Sequence, residues 1–117
     1  MILVATRSMS LRDGLLALLA AINPAQPIEF VDDIAVLLTA VTQAPIDLIV
    51  LDADLPTVST GMVSGQIKQA SPHTRILILT DLIEPHDSPS HFEADAVLLK
   101  GIAATDMANT IERLLAH

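Results

Sequence analysis

The sequence predicts an α/β protein built on a doubly wound, five-stranded parallel sheet. Short runs of Ile, Val and Leu alternate with longer segments whose apolar residues recur at helical spacing. The segment 46–52 is nearly continuous in apolar residues rather than alternating, as a central strand covered on both faces must be. The 117 residues, 51% of them hydrophobic, can close one aliphatic core, so a single domain over 1–117 is expected. Right-handed crossovers then leave the carboxyl ends of all strands on one edge, where ligands bind at a topological switch point.

Taken in order, residues 2–6 (Ile-Leu-Val-Ala-Thr) read as the first strand. A helix over 11–22 follows, with Ser10 as its candidate N-cap, Leu15, Leu18, Leu19 and Ile22 on one stripe, and Asn23-Pro24 as its stop. A second strand spans 27–31. The next helix, 33–43, is capped by Asp32 or Asp33 and carries Val36, Leu37 and Val41 at helical spacing. The third strand, 46–52, ends before Leu55-Pro56, and a Ser/Thr/Gly loop leads into a weak helix over 61–70. Ser71-Pro72-His73 reads as a turn, 75–80 as a fourth strand and 96–99 as a fifth, and Thr105 as the cap of a last helix through Leu115. The stretch 81–95 breaks the pattern. Pro85 and Pro89 leave room for one or two helical turns there, a degenerate fourth helix.

Composition narrows the function. Fourteen acidic against six basic side chains give a formal charge of −8, and the only aromatics are Phe30 and Phe92. Such a chain repels phosphate backbones and offers almost no stacking surface, so this stretch is not expected to hold nucleic acid itself. With no cysteine, disulfides, thiolate metal sites and Cys nucleophiles are excluded. The N-terminus lacks the charged leader of a signal peptide, and apolar runs such as 15–22 and 48–51 fall short of the roughly 18 residues of a membrane span. A cytoplasmic location, away from membranes, is the expectation.

The strand ends carry the chemistry. The third strand finishes in Asp52-Ala53-Asp54, the fourth in Thr80-Asp81 and the fifth in Lys100-Gly101. A carboxylate, a hydroxyl and an ammonium converging on one edge can bind or accept a phosphoryl group, with Asp52 as nucleophile, Thr80 donating to a phosphoryl oxygen and Lys100 pairing with its charge. The plainer alternative is that Lys100 simply pairs with Asp52 as a polar strand-end contact.

These motifs resemble those of the receiver domains of bacterial two-component response regulators, above all the subfamily that carries a C-terminal DNA-binding domain of the NarL/LuxR type. Residues 47–56 are similar to the family's phosphoacceptor strand, 75–80 to its switch-hydroxyl strand and 94–100 to its lysine strand, in order and in near-family spacing. The resemblance implies the CheY-like, flavodoxin-like (βα)5 fold. It also implies that Asp52 is the phosphoacceptor, Thr80 the switch hydroxyl and Lys100 the pocket lysine, with Ala53 and Asp54 beside them.

The departures are as informative. Where the family has two adjacent acids after the first strand, this sequence has Thr6-Arg7, so Asp52 and a backbone carbonyl near Asp54 are what remains to hold the octahedral oxygen shell of Mg²⁺. Weak or absent Mg²⁺ binding, and no other cofactor, are expected. A guanidinium can replace a cation, so Arg7 is expected to pair with Asp52 through its fork of donors; the alternative is that Arg7 points to solvent and only the missing acids count. The family's aromatic switch position is Val97. Together these differences resemble an atypical, or pseudo-, receiver.

His86 and His91, with Glu84 and Asp87, read as a solvated loop rather than a metal site. Gly61, Ser64 and Gly65 match neither a hydrolase elbow nor a phosphate-cradling loop, and Met107 reads as core. Two functions follow. The first is a non-enzymatic receiver switched by a protein, a small ligand or homodimerisation without Mg²⁺-dependent phosphorylation, acting on transcription through an attached DNA-binding domain absent from this chain. The second is a conventional receiver phosphorylated on Asp52 by a histidine kinase. Ala103, Ala104, Met107 and Leu114 are the surface expected for pairing through the last helix.

Overall fold

The computed structural model describes residues 1–55, 59–83 and 92–116. Five parallel strands form one sheet: β1 (Ile2–Ala5), β2 (Ile28–Val31), β3 (Leu48–Asp52), β4 (Arg75–Thr80) and β5 (Ala96–Leu99), in the spatial order β2-β1-β3-β4-β5. The order reverses between β1 and β3, which places the topological switch point at the ends of those two strands. Four helices are described: α1 (Met9–Ile22), α2 (Ile34–Gln43), α3 (Thr60–Ala70) and α4 (Ala104–Leu115). None is long and apolar enough to cross a membrane.

The strands are buried on both faces because successive side chains serve two separate cores. Ile2, Val4, Leu48, Val50, Leu77 and Leu79 pack with Leu15 and Leu19 of α1 and with Met107, Ile111 and Leu114 of α4. Leu3, Ala5, Ile49, Leu51, Ile76 and Ile78 pack on the opposite face with Leu37 and Val41 of α2 and Val63 and Ile67 of α3.

Capping accounts for several differences from the sequence-based boundaries. Helix α1 begins at Met9 because Ser8, not Ser10, accepts from the Leu11 N–H at 3.2 Å. Asp33 rather than Asp32 caps α2, taking the N–H groups of Ala35 and Val36 at 2.7 and 3.2 Å. Helix α4 starts after Ala103 with no side-chain cap, so Thr105 does not fill the expected role. Val36 is 52% exposed, since only Leu37 and Val41 of its stripe reach the sheet. Met107 and Leu114 are both buried at 7% exposure, which removes them from the surface expected to pair two copies. Of the irregular stretch 81–95, the described residues 81–83 and 92–95 contain no helix; Glu84, His86, Asp87 and His91 lie outside the described residues.

An ion-pair cluster ties α3 to the amino ends of β4 and β5. Lys68 Nζ donates to Asp95 at 2.7 Å and to the Thr74 carbonyl at 2.7 Å, and the same carboxylate accepts from the Ile76 N–H at 2.8 Å. Burial alone would raise the Asp95 pKa. The Lys68 hydrogen bond, the Ile76 N–H and the charges of Lys68 and Arg75 outweigh it and hold the carboxyl below its ordinary value of 3.8. A depressed carboxyl contributes stability above that value and loses it as pH falls through the folded-state pKa. Lys68→Met is therefore expected to cost about 1–2 kcal/mol at neutral pH. The gap from wild type should narrow at about pH 3, as read by urea unfolding at the two pH values. A gap independent of pH would contradict this account.

Candidate functional site

The residues after β1, β3, β4 and β5 meet around a cavity of about 500 Å³ at the carboxyl edge of the sheet, lined in part by Arg7, Asp52, Asp54, Asp81 and Lys100. Asp52, the last residue of β3, is 4% exposed, and a carboxylate so buried needs partners for both oxygens. Its Oδ2 accepts from Thr6 Oγ1 at 2.6 Å. Its Oδ1 accepts from the Asp54 N–H at 2.9 Å and lies 2.8 Å from Lys100 Nζ. The Thr6 hydroxyl in turn accepts the Ser8 N–H at 3.0 Å, so the start of α1 is tied to the acidic residue through one side chain.

Lys100 is the hub. Its backbone N–H continues the ladder to the Thr80 carbonyl at 2.9 Å, which sets where the side chain leaves the sheet. Its ammonium reaches Asp54 Oδ2 at 2.6 Å and approaches Asp81 Oδ2 at 3.6 Å, in addition to Asp52. Burial works against the charged lysine, but hydrogen bonds and attraction from Asp52 and Asp54 outweigh it and raise the Lys100 pKa. The Asp54 carboxyl is held below its ordinary value chiefly by its hydrogen bond to Lys100 and that residue's charge.

The other expected members fall elsewhere. Arg7 is exposed at the rim, and in place of the expected fork on Asp52 its Nε donates to the Asp32 carbonyl at 3.1 Å. The β1 turn carries Arg7 toward the β2–α2 loop, while Thr6 occupies the near side of Asp52. The Thr80 hydroxyl donates to the Leu82 carbonyl at 3.3 Å, and the Ala53 N–H is taken by the Leu79 carbonyl at 2.8 Å. Val97 stands opposite Ile78 in the sheet and packs on the α2–α3 core rather than lining the cavity. Sequence reading missed Asp81 and Ser8 as members. Adjacency to Thr80 was the available signal for Asp81, whereas the role of Ser8 depends on the helix start. Among the described residues, no group of three His, Cys, Asp or Glu side chains is arranged to hold a metal ion.

The same architecture recurs in solved receiver structures. The signal receiver domain of a DNA-binding response regulator from Colwellia psychrerythraea superposes with a TM-score of 0.86 at 17% identity, covering 99% of this chain and 98% of that one. Chemotaxis protein CheY4 of Vibrio cholerae gives 0.82 at 22% identity, with 97% of each chain covered. A LuxR-family DNA-binding response regulator from Staphylococcus aureus gives 0.81 at 17% identity, again with 97% of each covered. At such identities the likeness shows the fold, a CheY-like doubly wound α/β sheet. No family model matches the sequence. No curated protein matches it.

The Thr6 hydroxyl is the uncharged member of this cluster and the simplest to remove. Thr6→Val takes away a donor to a buried carboxylate and an acceptor for Ser8, and should destabilise the fold by about 2 kcal/mol in urea unfolding. In an Asp52→Asn background the loss should shrink, as a double-mutant cycle would report. Equal losses in both backgrounds would show that the bond to Asp52 is not the source.

Proposed function

We propose that this chain is a receiver-type signalling module whose acidic pocket is closed by its own side chains and which switches by binding rather than by Mg²⁺-dependent phosphoryl transfer. The observation that supports this reading is the saturation of Asp52, whose two oxygens are occupied by Thr6, the Asp54 N–H and Lys100 at 2.6–2.9 Å. A phosphoacceptor needs one oxygen free to attack and another free to hold the cation that neutralises the transferring group.

The residues present do not fit Mg²⁺. An octahedral shell needs several free oxygens, yet Thr6 and Arg7 follow β1 where carboxylates would be required, and Asp54 is engaged by Lys100. The tethered cation beside the acceptor is Lys100 rather than Arg7. The module is an atypical receiver of NarL/LuxR type in this proposal. It acts in the cytoplasm without catalysis of its own, pairs with a second copy or another protein, and passes its state to a DNA-binding domain outside residues 1–117.

A second reading, the conventional receiver that takes phosphate from a histidine kinase, is favoured by the buried Asp52 lying 2.8 Å from Lys100 at the strand ends. Incubation with a small-molecule phosphodonor and Mg²⁺, followed by intact mass measurement, separates the two. The wild type is expected to gain no phosphoryl group, and Thr6→Asp/Arg7→Asp to gain one. A stoichiometric gain in the wild type that disappears in Asp52→Asn would select the second reading, as would sub-millimolar affinity in a Mg²⁺ titration.

A further inference from the structure

On the sheet face opposite α2 and α3, a second cavity of about 390 Å³ opens between α1 and α4. Its walls are mostly aliphatic, with Leu15 and Leu18 on one side and Ile102 and Met107 on the other. Gly14 also lines it. A Cβ there would meet nothing within 4 Å, although glycine is disfavoured inside a helix relative to alanine. The helix is thus left open at a position where a larger side chain would enter the cleft. Two residues, Ser8 and Lys100, line both this cleft and the acidic cavity.

We propose that the α1–α4 cleft binds a small, mainly aliphatic molecule with a single uncharged hydrogen-bonding head, and that occupancy is passed to the acidic pocket through Ser8 and Lys100. The volume lies at the small end of the range that ligand sites occupy, and the walls supply the apolar area that would hold such a molecule. The head is uncharged because of what surrounds the shared wall. The Lys100 ammonium is already committed to Asp52 and Asp54, so an anion would face those carboxylates without a free counter-charge, and a cation would face Lys100 itself. The polar groups left at that end are the hydroxyls of Ser8 and Ser10, 3.2 Å from each other.

The relay is short. The Ser8 N–H is bonded to the Thr6 hydroxyl, which is bonded to Asp52, and Lys100 contacts Asp52 directly. A molecule against Ser8 and Lys100 therefore touches one residue whose backbone N–H holds a partner of the buried carboxylate and one whose side chain is itself a partner. The binding claim stands on the cleft alone, whereas the relay rests on the acidic pocket being the control site proposed above.

The test uses primary alcohols from butanol to octanol as probes, titrated into the intact chain and followed by side-chain NMR. Saturable shifts are expected at the methyls of Leu15, Leu18 and Met107. The affinity should rise about fourfold per added methylene until the cleft is full, then level off. The Lys100 side-chain signals should move with the same midpoint. Gly14→Leu and Ala104→Leu, which fill the cleft from opposite walls, should each abolish saturation, with circular dichroism checking that helix content is kept. The chain-length series in the unaltered protein stands even if a filled variant does not fold. Non-saturating shifts, or saturation that survives in both filled variants, would overturn the binding site. Saturable binding with Lys100 unmoved would overturn the relay. Phosphoryl uptake on wild-type Asp52 would remove the control-site reading without changing the alcohol titration, so the two failures are distinguishable.

Discussion

A carboxylate buried to 4% exposure at the centre of the sheet edge is the constraint around which the rest of the site is arranged. Taking Asp52 out of water is unfavourable unless each lone pair finds a donor and the charge finds a counter-charge. The fold supplies these from three elements at once: a hydroxyl after β1, a backbone N–H in the turn after β3, and an ammonium after β5. Because the donors come from strands that are not neighbours in sequence, the pocket forms only when the parallel register is correct. Site and sheet stabilise one another.

The division of labour between Lys100 and Arg7 follows from geometry more than from charge. Lysine carries a compact point charge on a flexible stem, so one ammonium can be shared among Asp52, Asp54 and the more distant Asp81. Arginine offers a planar fork, and here its Nε is used on a backbone carbonyl, joining the loop after β1 to the loop after β2. The sharing explains why the lysine pKa rises while that of Asp54 falls, for each charged form is favoured by the other.

Much of the fold was legible because burial on both faces leaves a strong record in a sequence. The apolar run of β3 and the match of β4 and β5 to the expected spans 75–80 and 96–99 are direct products of two cores sharing one sheet. Helix starts were less legible, since Ser8 and Ser10, or Asp32 and Asp33, differ only in which oxygen reaches an N–H in three dimensions. The site was legible as a set of strand ends and not as a contact map. Asp52, Asp54 and Lys100 are brought together, but the Thr80 hydroxyl turns to its own loop and Val97 to the α2–α3 core. Spacing along a strand sets the edge a residue reaches; the turn that follows decides where its side chain goes.

The strand order carries a consequence for how the sheet assembles. The first of the five strands in sequence ends up inside the sheet, with Ile2 opposite both Ile28 and Leu48, so its second edge stays unpaired until β3 is in place. Contacts across that much sequence slow folding, because loop closure must be completed before they form. Until β3 pairs with it, this aliphatic strand presents an open edge, and an open edge on a partly folded chain is a place where aggregation can begin.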